Sequence, residues 1–232
     1  KEKEKTENFM RKGYLISQTE SRKSLAYISN LIKKITKQIL KKKNINLNNI
    51  HRYISVRDLI EFRLKIIQKL NQDSNIRFHY FNLSRNTLYT LAGNELMMQK
   101  NINLSIQFPQ DDSSLLPIHS DVWSGDSPYE INLWLPLVNC YKTKSMYILE
   151  NKNIENFLKA VRYKKYNSSD QIFNLVKNKL KWLKVDYGQF LIFNQGLPHG
   201  NVVNEINETR WSLNCRFKSI FSPYGDKKIG EF

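Results

Sequence analysis

The chain has 232 residues, of which 41% are hydrophobic, 25% charged and 12% aromatic, a balance that excludes a disordered or fibrous polymer and suits one sizeable core with trimmings. Its 37 basic against 21 acidic residues give a formal charge of +16, a field that attracts phosphates, nucleic acid, anionic lipid or an acidic small molecule, although Lys, Asn and Ile crowd together at 41–50 in the manner of a compositional bias. No apolar run reaches the roughly 18–20 residues of a membrane span, and the start KEKEKTENF lacks the apolar stretch of a signal peptide, so the chain reads as cytoplasmic.

In chain order, residues 1–8 read as a charged, frayed start, and FMRKGYLI offers a short strand around Tyr14 to Ile16. Two amphipathic helices follow. SLAYISNLIKKITKQILKK repeats apolar residues at three and four (Leu25, Ile28, Leu31, Ile32, Ile35), and VRDLIEFRLKIIQKL does so again (Leu59, Ile60, Phe62, Leu64, Ile67), each with lysines on a solvated face. Residues 41–49 between them read as a loop. From about residue 75 the texture changes to short β-rich runs, IRFHYFNL, LSIQF, EINLWLPLV, KSMYILE, FLIFN and RWSLNCRF, separated by turn residues, which predicts an antiparallel sandwich or barrel. NIENFLKAVRYKKY and SSDQIFNLVKNKLKWLKV interrupt it as a helical insertion at about 150–187, with Ser168 or Ser169 as an N-cap, either a lid over the site or decoration. The chain thus divides into an N-terminal helical segment, 1–74, packed on a β core, 75–232. Cys140 and Cys215 are too few for a disulfide framework and read as reduced core residues.

The chemistry concentrates in two places. PIHSDVW puts His119 and Asp121 two apart, so that on a strand both side chains reach one face. Further on, YGQFLIFNQGLPHGN ends a short apolar strand and a turn with His199. Two imidazoles and one carboxylate, leaving three positions open on one face of an octahedral ion, suit the Fe(II) of non-haem oxygenases, with room for O₂. Beyond His199, RWSLNCRF alternates with period two: Arg210, Ser212, Asn214 and Arg216 share one face, and Trp211, Leu213, Cys215 and Phe217 the other. An arginine and a serine aimed at an interior cavity need an anionic partner, and a guanidinium fork matches a carboxylate.

His119-x-Asp121, the distal His199 and Arg210-x-Ser212 together resemble the H-x-D…H…R-x-S pattern of the Fe(II)/2-oxoglutarate-dependent oxygenases. More narrowly, the stretch from LSIQFPQDD through KSMYIL resembles oxygenases of sporadic carbohydrate-biosynthesis clusters, and FMRKGYLI resembles the opening of the phytanoyl-type branch. The resemblance spans about residues 75–232. It implies a mainly β fold with flanking helices, a double-stranded β-helix of jelly-roll, cupin-like form. It further implies Fe(II) on His119, Asp121 and His199, with 2-oxoglutarate as cosubstrate whose far carboxylate meets Arg210 and Ser212. Oxidative decarboxylation to succinate and CO₂ then drives hydroxylation of an unactivated C–H bond, and the substrate it implies is a sugar or nucleotide-linked sugar. The related halogenases carry Ala or Gly where Asp121 stands, so the resemblance favours oxygenation.

Further candidates remain open between two roles. Gln107 and Asn132 can bind the keto-acid end of 2-oxoglutarate or a substrate hydroxyl, or be satisfied core amides. Trp123, with Trp134, Tyr80 and Trp211, can stack on substrate or fill the core. Lys144 is a substrate-phosphate ligand or a surface lysine, and Arg216 a substrate ligand or half of an ion pair with Asp126 or Glu130. A cupin-like metal enzyme without 2-oxoglutarate would use the same triad but need no Arg210-x-Ser212. An oxygenase acting on nucleic acid would use the basic surplus, yet no nucleic-acid motif is present.

Overall fold

The computed structural model describes residues 2–163 and 168–227. Helix α1 (Glu2–Lys12) leads into strand β1 (Tyr14–Gln18), and helices α2 (Arg22–Leu40), α3 (Leu59–Asn71), α4 (Ile76–Asn82) and α5 (Arg85–Ala92) follow. The remainder is β2 (Leu96–Met98), β3 (Asn103–Gln107), β4 (Ile131–Pro136), β5 (Tyr147–Leu149), α6 (Ile154–Tyr163), α7 (Ser169–Val176), β6 (Leu180–Trp182), β7 (Gln189–Asn194), β8 (His199–Gly200) and β9 (Arg210–Ser219).

Two antiparallel sheets carry the site, with helices flanking them. The larger runs β1-β7-β4-β9, and the long strand β9 pairs along its other edge with β3 at one end and β2 at the other; the smaller runs β6-β5-β8. Strand β4, INLWLP, is buried along its whole length, as a central strand covered on both faces must be, with Asn132 the one polar side chain in an otherwise apolar run. The core joins this sheet to the helices: Ile28, Ile32, Ile66 and Leu70 are fully buried with Leu133, Ile192 and Trp211 in one cluster. No described helix is long and apolar enough to cross a membrane.

Several elements differ from the sequence expectation, each for a physical reason. IRFHYFNL is a helix rather than a strand. Ile76, Tyr80 and Leu83 are fully buried at a spacing of four and three, while Phe78, which a strand would place beside Ile76 and Tyr80, is 65% exposed. The helical segment therefore runs on to Ala92. The charged start is helix α1, with Glu2 and Glu4 in its first turn and Arg11 and Lys12 in its last, the arrangement that complements the helix dipole. In the insertion Ser168 caps α7 by accepting from the Gln171 N–H, but the helix ends at Val176, and Leu180–Trp182 pairs with β5 as a strand. The end of NIENFLKAVRYKKY falls partly at 164–166, outside the described residues.

Lys144 is neither on the surface nor beside the candidate site. Its ammonium is fully buried, 2.6 Å from Glu208 and 2.8 Å from Asn48 Oδ1, and so ties the loop before α3 to the loop before β9. Removing the anion alone strands a buried cation, whereas removing the lysine releases Glu208 to water. Glu208→Ala is therefore expected to destabilise the protein by about 3 kcal/mol and Lys144→Met by less, which denaturant unfolding would measure.

Candidate functional site

His119 and His199 come together through the backbone. Each donates its N–H to the other's carbonyl, at 2.9 and 2.8 Å, in an antiparallel bridge that continues the small sheet beyond β8. Paired residues in such a bridge project to the same side, and the two rings lie 4.4 Å apart. A methyl group at the next position, Gly200, would sit 2.6 Å from Tyr147 Oη and 2.7 Å from the Leu116 carbonyl, so only glycine lets this strand approach so closely.

The tautomers follow from hydrogen bonding. His119 Nδ1 lies 2.7 Å from the Pro117 carbonyl and His199 Nδ1 2.8 Å from the Leu197 carbonyl. A carbonyl only accepts, so both Nδ1 atoms carry the proton and both Nε2 lone pairs are free. They converge on Asp121 Oδ1, at 3.5 Å from His119 and 3.9 Å from His199. Asp121 begins the 3₁₀ turn Asp121–Ser124, and its N–H is held by the Gln195 carbonyl at 3.1 Å. The three ligand atoms lie within 4.8 Å of one another, so this group can hold a metal ion. The donor set, two imidazole nitrogens and a carboxylate oxygen facing inward with no proton of their own between them, fits a divalent transition metal.

Electrostatics describe the same site in its proton-binding form. Burial alone would raise Asp121, but the His119 hydrogen bond, with His199 and Arg216 nearby, holds it at about 2. Burial pushes His199 down to about 4 against the pull of Asp121, whereas in His119 the Asp121 hydrogen bond and the Pro117 carbonyl outweigh burial and raise it. An unfolded histidine protonates near 6.5, so His199 removes stability as pH falls from 6.5 towards 4, by roughly 3 kcal/mol at most. His119 acts in the opposite sense, its contribution being full below 6.5 and lost as pH rises through its raised value. In the metal-free protein His199→Gln is therefore expected to lessen the loss of stability between pH 6.5 and 4, which thermal unfolding across that range would measure.

The triad opens into a cavity of about 350 Å³ whose lining includes Arg210, Asn132, Asn214, Arg216, Trp134 and Met146. Arg210 is 3% exposed; it donates to the Ser145 carbonyl at 3.2 Å and to Ser105 Oγ at 3.0 Å, and its Nε has no partner. Among the described residues no carboxylate pairs with it. Ser212, two residues on along the same face of β9, is fully buried with its Oγ unpartnered, as is Asn132 Oδ1. Arg216, at the other end of that face, lies 3.4 Å from Asp121 Oδ2 and 3.5 Å from Asp126 Oδ2, so the Asp126 ion pair forms; Gln195 bridges it to Glu130.

Other expected residues fall outside the cavity lining. Gln107 shares the β3 face with Ser105 but spends its amide on the Val202 carbonyl at 2.7 Å and on Asn201, so it is a satisfied core amide. Trp123 is 51% exposed and stacked at 6.3 Å on Phe157 of α6. Tyr80 and Trp211 are core. Sequence reading missed Ser105, Asn201 and Gln195; the first two stand two residues from Gln107 and His199, so period-two alternation was the available signal.

Fold and site together define an antiparallel β frame around a cavity lined both by a triad that can hold a metal ion and by a guanidinium, Arg210, with no carboxylate partner among the described residues. No protein-family model matches the sequence, and no curated protein matches it. Solved structures do share the fold. A nickel complex of ThoJ, described as a non-haem monooxygenase, is 14% identical over 97% of this chain and 84% of its own, with a TM-score of 0.52. HygX from Streptomyces hygroscopicus, with nickel and 2-oxoglutarate bound, is 12% identical over 95% and 88%, at 0.57. SnoN, a non-haem α-ketoglutarate-dependent epimerase from nogalamycin biosynthesis, is 10% identical over 94% and 83%, at 0.55. At such identities the likeness is one of fold.

Proposed function

We propose that the chain is an Fe(II)- and 2-oxoglutarate-dependent oxygenase on a double-stranded β-helix, with His119, Asp121 and His199 as metal ligands and Arg210 and Ser212 as the cradle for the far carboxylate of 2-oxoglutarate. The observation that carries this reading is Arg210. A guanidinium 3% exposed, with no carboxylate of the described residues against it and an unpartnered Nε, costs free energy that an incoming anion recovers. A metal site alone, as in a cupin without 2-oxoglutarate, gives no reason for that cation.

In this reading the residues divide the work. The carbonyls of Pro117 and Leu197 hold the proton on Nδ1 of each imidazole and so orient both Nε2 atoms towards Asp121, which stays ionised at neutral pH. Arg210, which lines the same cavity as the triad, and Ser212 beside it on β9 would bind and orient the cosubstrate's far carboxylate. Bound iron and cosubstrate supply the oxidising power, and the protein supplies orientation and a dry wall that includes Trp134, Met146 and Phe193.

The substrate in this proposal is a small molecule, a sugar or nucleotide-linked sugar. Support comes from the resemblance to oxygenases of carbohydrate-biosynthesis clusters and from Asn132 in the cavity lining, whose buried Oδ1 has no partner within the protein and suits a hydroxyl group. The lining mixes Asp121 and Asp126 with Arg210, Arg216 and Lys227, unlike the one-sign groove that a nucleic-acid backbone requires. The test is succinate formation from 2-oxoglutarate with Fe(II) and O₂, alone and across a panel of sugars and nucleotide sugars. The wild type is expected to form succinate and an accepted sugar to accelerate it. Equal formation by Asp121→Ala would overturn the assignment.

A further inference from the structure

The basic end of β9 carries a second arginine that the proposed reaction leaves without a task. Arg216 is not an unsatisfied cation like Arg210. Its Nε donates to Gln195 Oε1 at 2.8 Å, and one terminal nitrogen lies 3.4 Å from Asp121 Oδ2 and 3.5 Å from Asp126 Oδ2. The two oxygens of Asp121 are thereby given different surroundings. Oδ1 faces the two imidazoles, while Oδ2 is buried, has no hydrogen-bond partner and looks towards the guanidinium.

Gln195 holds both ends of this arrangement. Its side-chain oxygen fixes Arg216, and its amide nitrogen donates to Glu130 Oε2 at 2.8 Å and to the Ser127 carbonyl at 3.1 Å, so the amide cannot rotate without breaking three bonds. Its backbone carbonyl accepts the Asp121 N–H at 3.1 Å and the Ser120 hydroxyl at 3.1 Å. One fully buried residue thus ties down both the main chain of Asp121 and the cation facing its carboxylate.

We infer that Arg216 and Gln195 are positioning residues, which hold the Asp121 carboxylate so that Oδ1 alone is presented to the metal and Oδ2 is kept from it. This rests on the reading of His119, Asp121 and His199 as metal ligands. Its chemical point is the number of open positions. A carboxylate free to offer both oxygens takes a place that the cosubstrate needs, and a free side chain must also be ordered when metal binds. Arg216 therefore serves the carboxylate ligand rather than the substrate. Asp126, nearly fully buried, is a second anion on the same guanidinium and draws it to this side of the cavity.

Charge and positioning predict opposite results, which makes the inference testable. Deleting a cation close to a metal site should by charge alone tighten a dication. Loss of orientation weakens it, typically 10–100-fold for groups that hold a metal ligand. The experiment titrates Co(II) into metal-free wild type, Gln195→Leu, Arg216→Met and Arg216→Lys, following heat and visible absorption, with His199→Ala as control. Gln195→Leu changes no charge and keeps the backbone carbonyl. It is expected to weaken Co(II) about tenfold and alter the absorption, which reports coordination number. Arg216→Met is expected to weaken it at least as much, with part restored in Arg216→Lys, and 2-oxoglutarate should bind the Co(II)-loaded variants less tightly. Wild-type affinity and spectrum in Gln195→Leu, or tighter Co(II) in Arg216→Met, would overturn the positioning role. If Arg216→Met fails to fold, Gln195→Leu decides alone. Wild type binding no better than His199→Ala would overturn the metal assignment instead, and the inference with it.

Discussion

Arg210→Met is expected to weaken 2-oxoglutarate binding by about a hundredfold or more while the protein still folds and still binds metal. The guanidinium is buried with no carboxylate against it among the described residues, so its replacement by an apolar side chain of similar length removes a desolvation cost as well as two hydrogen bonds, to Ser145 O and Ser105 Oγ. Buried charges replaced in this way often leave stability unchanged or higher, by about 1–4 kcal/mol. Thermal unfolding separates the two effects. A saturating ligand raises stability by about 2.7 kcal/mol at a hundred times its Kd, so 2-oxoglutarate should raise the melting temperature of the metal-loaded wild type and not that of the variant. A variant that is several kcal/mol less stable yet binds 2-oxoglutarate normally would make Arg210 a structural residue.

Trp211→Ala is expected to cost about 3–5 kcal/mol, enough to leave much of the protein unfolded at moderate temperature. Trp211 alternates with Arg210 along β9 and points the other way, into the core. It is fully buried, meets Phe62 of α3 edge-on at 6.1 Å, and donates its indole N–H to the Leu47 carbonyl at 3.0 Å. Its loss opens a cavity and orphans a carbonyl in one step. The damage should also reach the site, because the same strand carries Arg210, Ser212 and Arg216 on its opposite face. Trp211→Phe, which keeps most of the volume, should lose less than half as much in denaturant unfolding.

Period-two alternation at 210–217 made both faces of β9 legible from sequence, because a central strand between core and cavity must alternate. The His119, Asp121 and His199 group was legible for a related reason: Asp121 and His119 are near in sequence, and His199 follows a short apolar strand that ends in a turn. What sequence did not carry was pairing between distant segments. Nothing local in IRFHYFNL distinguishes a helix from a strand, since Ile, Phe and Tyr favour strands; the choice is made by the core beneath Ile76, Tyr80 and Leu83. LKW at Leu180–Trp182 continues a helical period but finds an open edge on β5. Lys144 is buried only because Glu208 and Asn48 meet it from segments 64 and 96 residues away. Gln195 looks like a turn residue after FLIFN, and only the folded chain reveals that it touches both Arg216 and Asp121.

The central claim, a metal and 2-oxoglutarate sharing one cavity, is tested most directly by calorimetric titration of 2-oxoglutarate into the anaerobic protein with Mn(II) and into the same protein stripped with a chelator. The account predicts one equivalent bound, at least tenfold tighter with metal than without, because the keto acid is held at the triad and the far carboxylate at Arg210. Binding equally tight in the chelator-treated protein, or none in the Mn(II)-loaded protein, would contradict it.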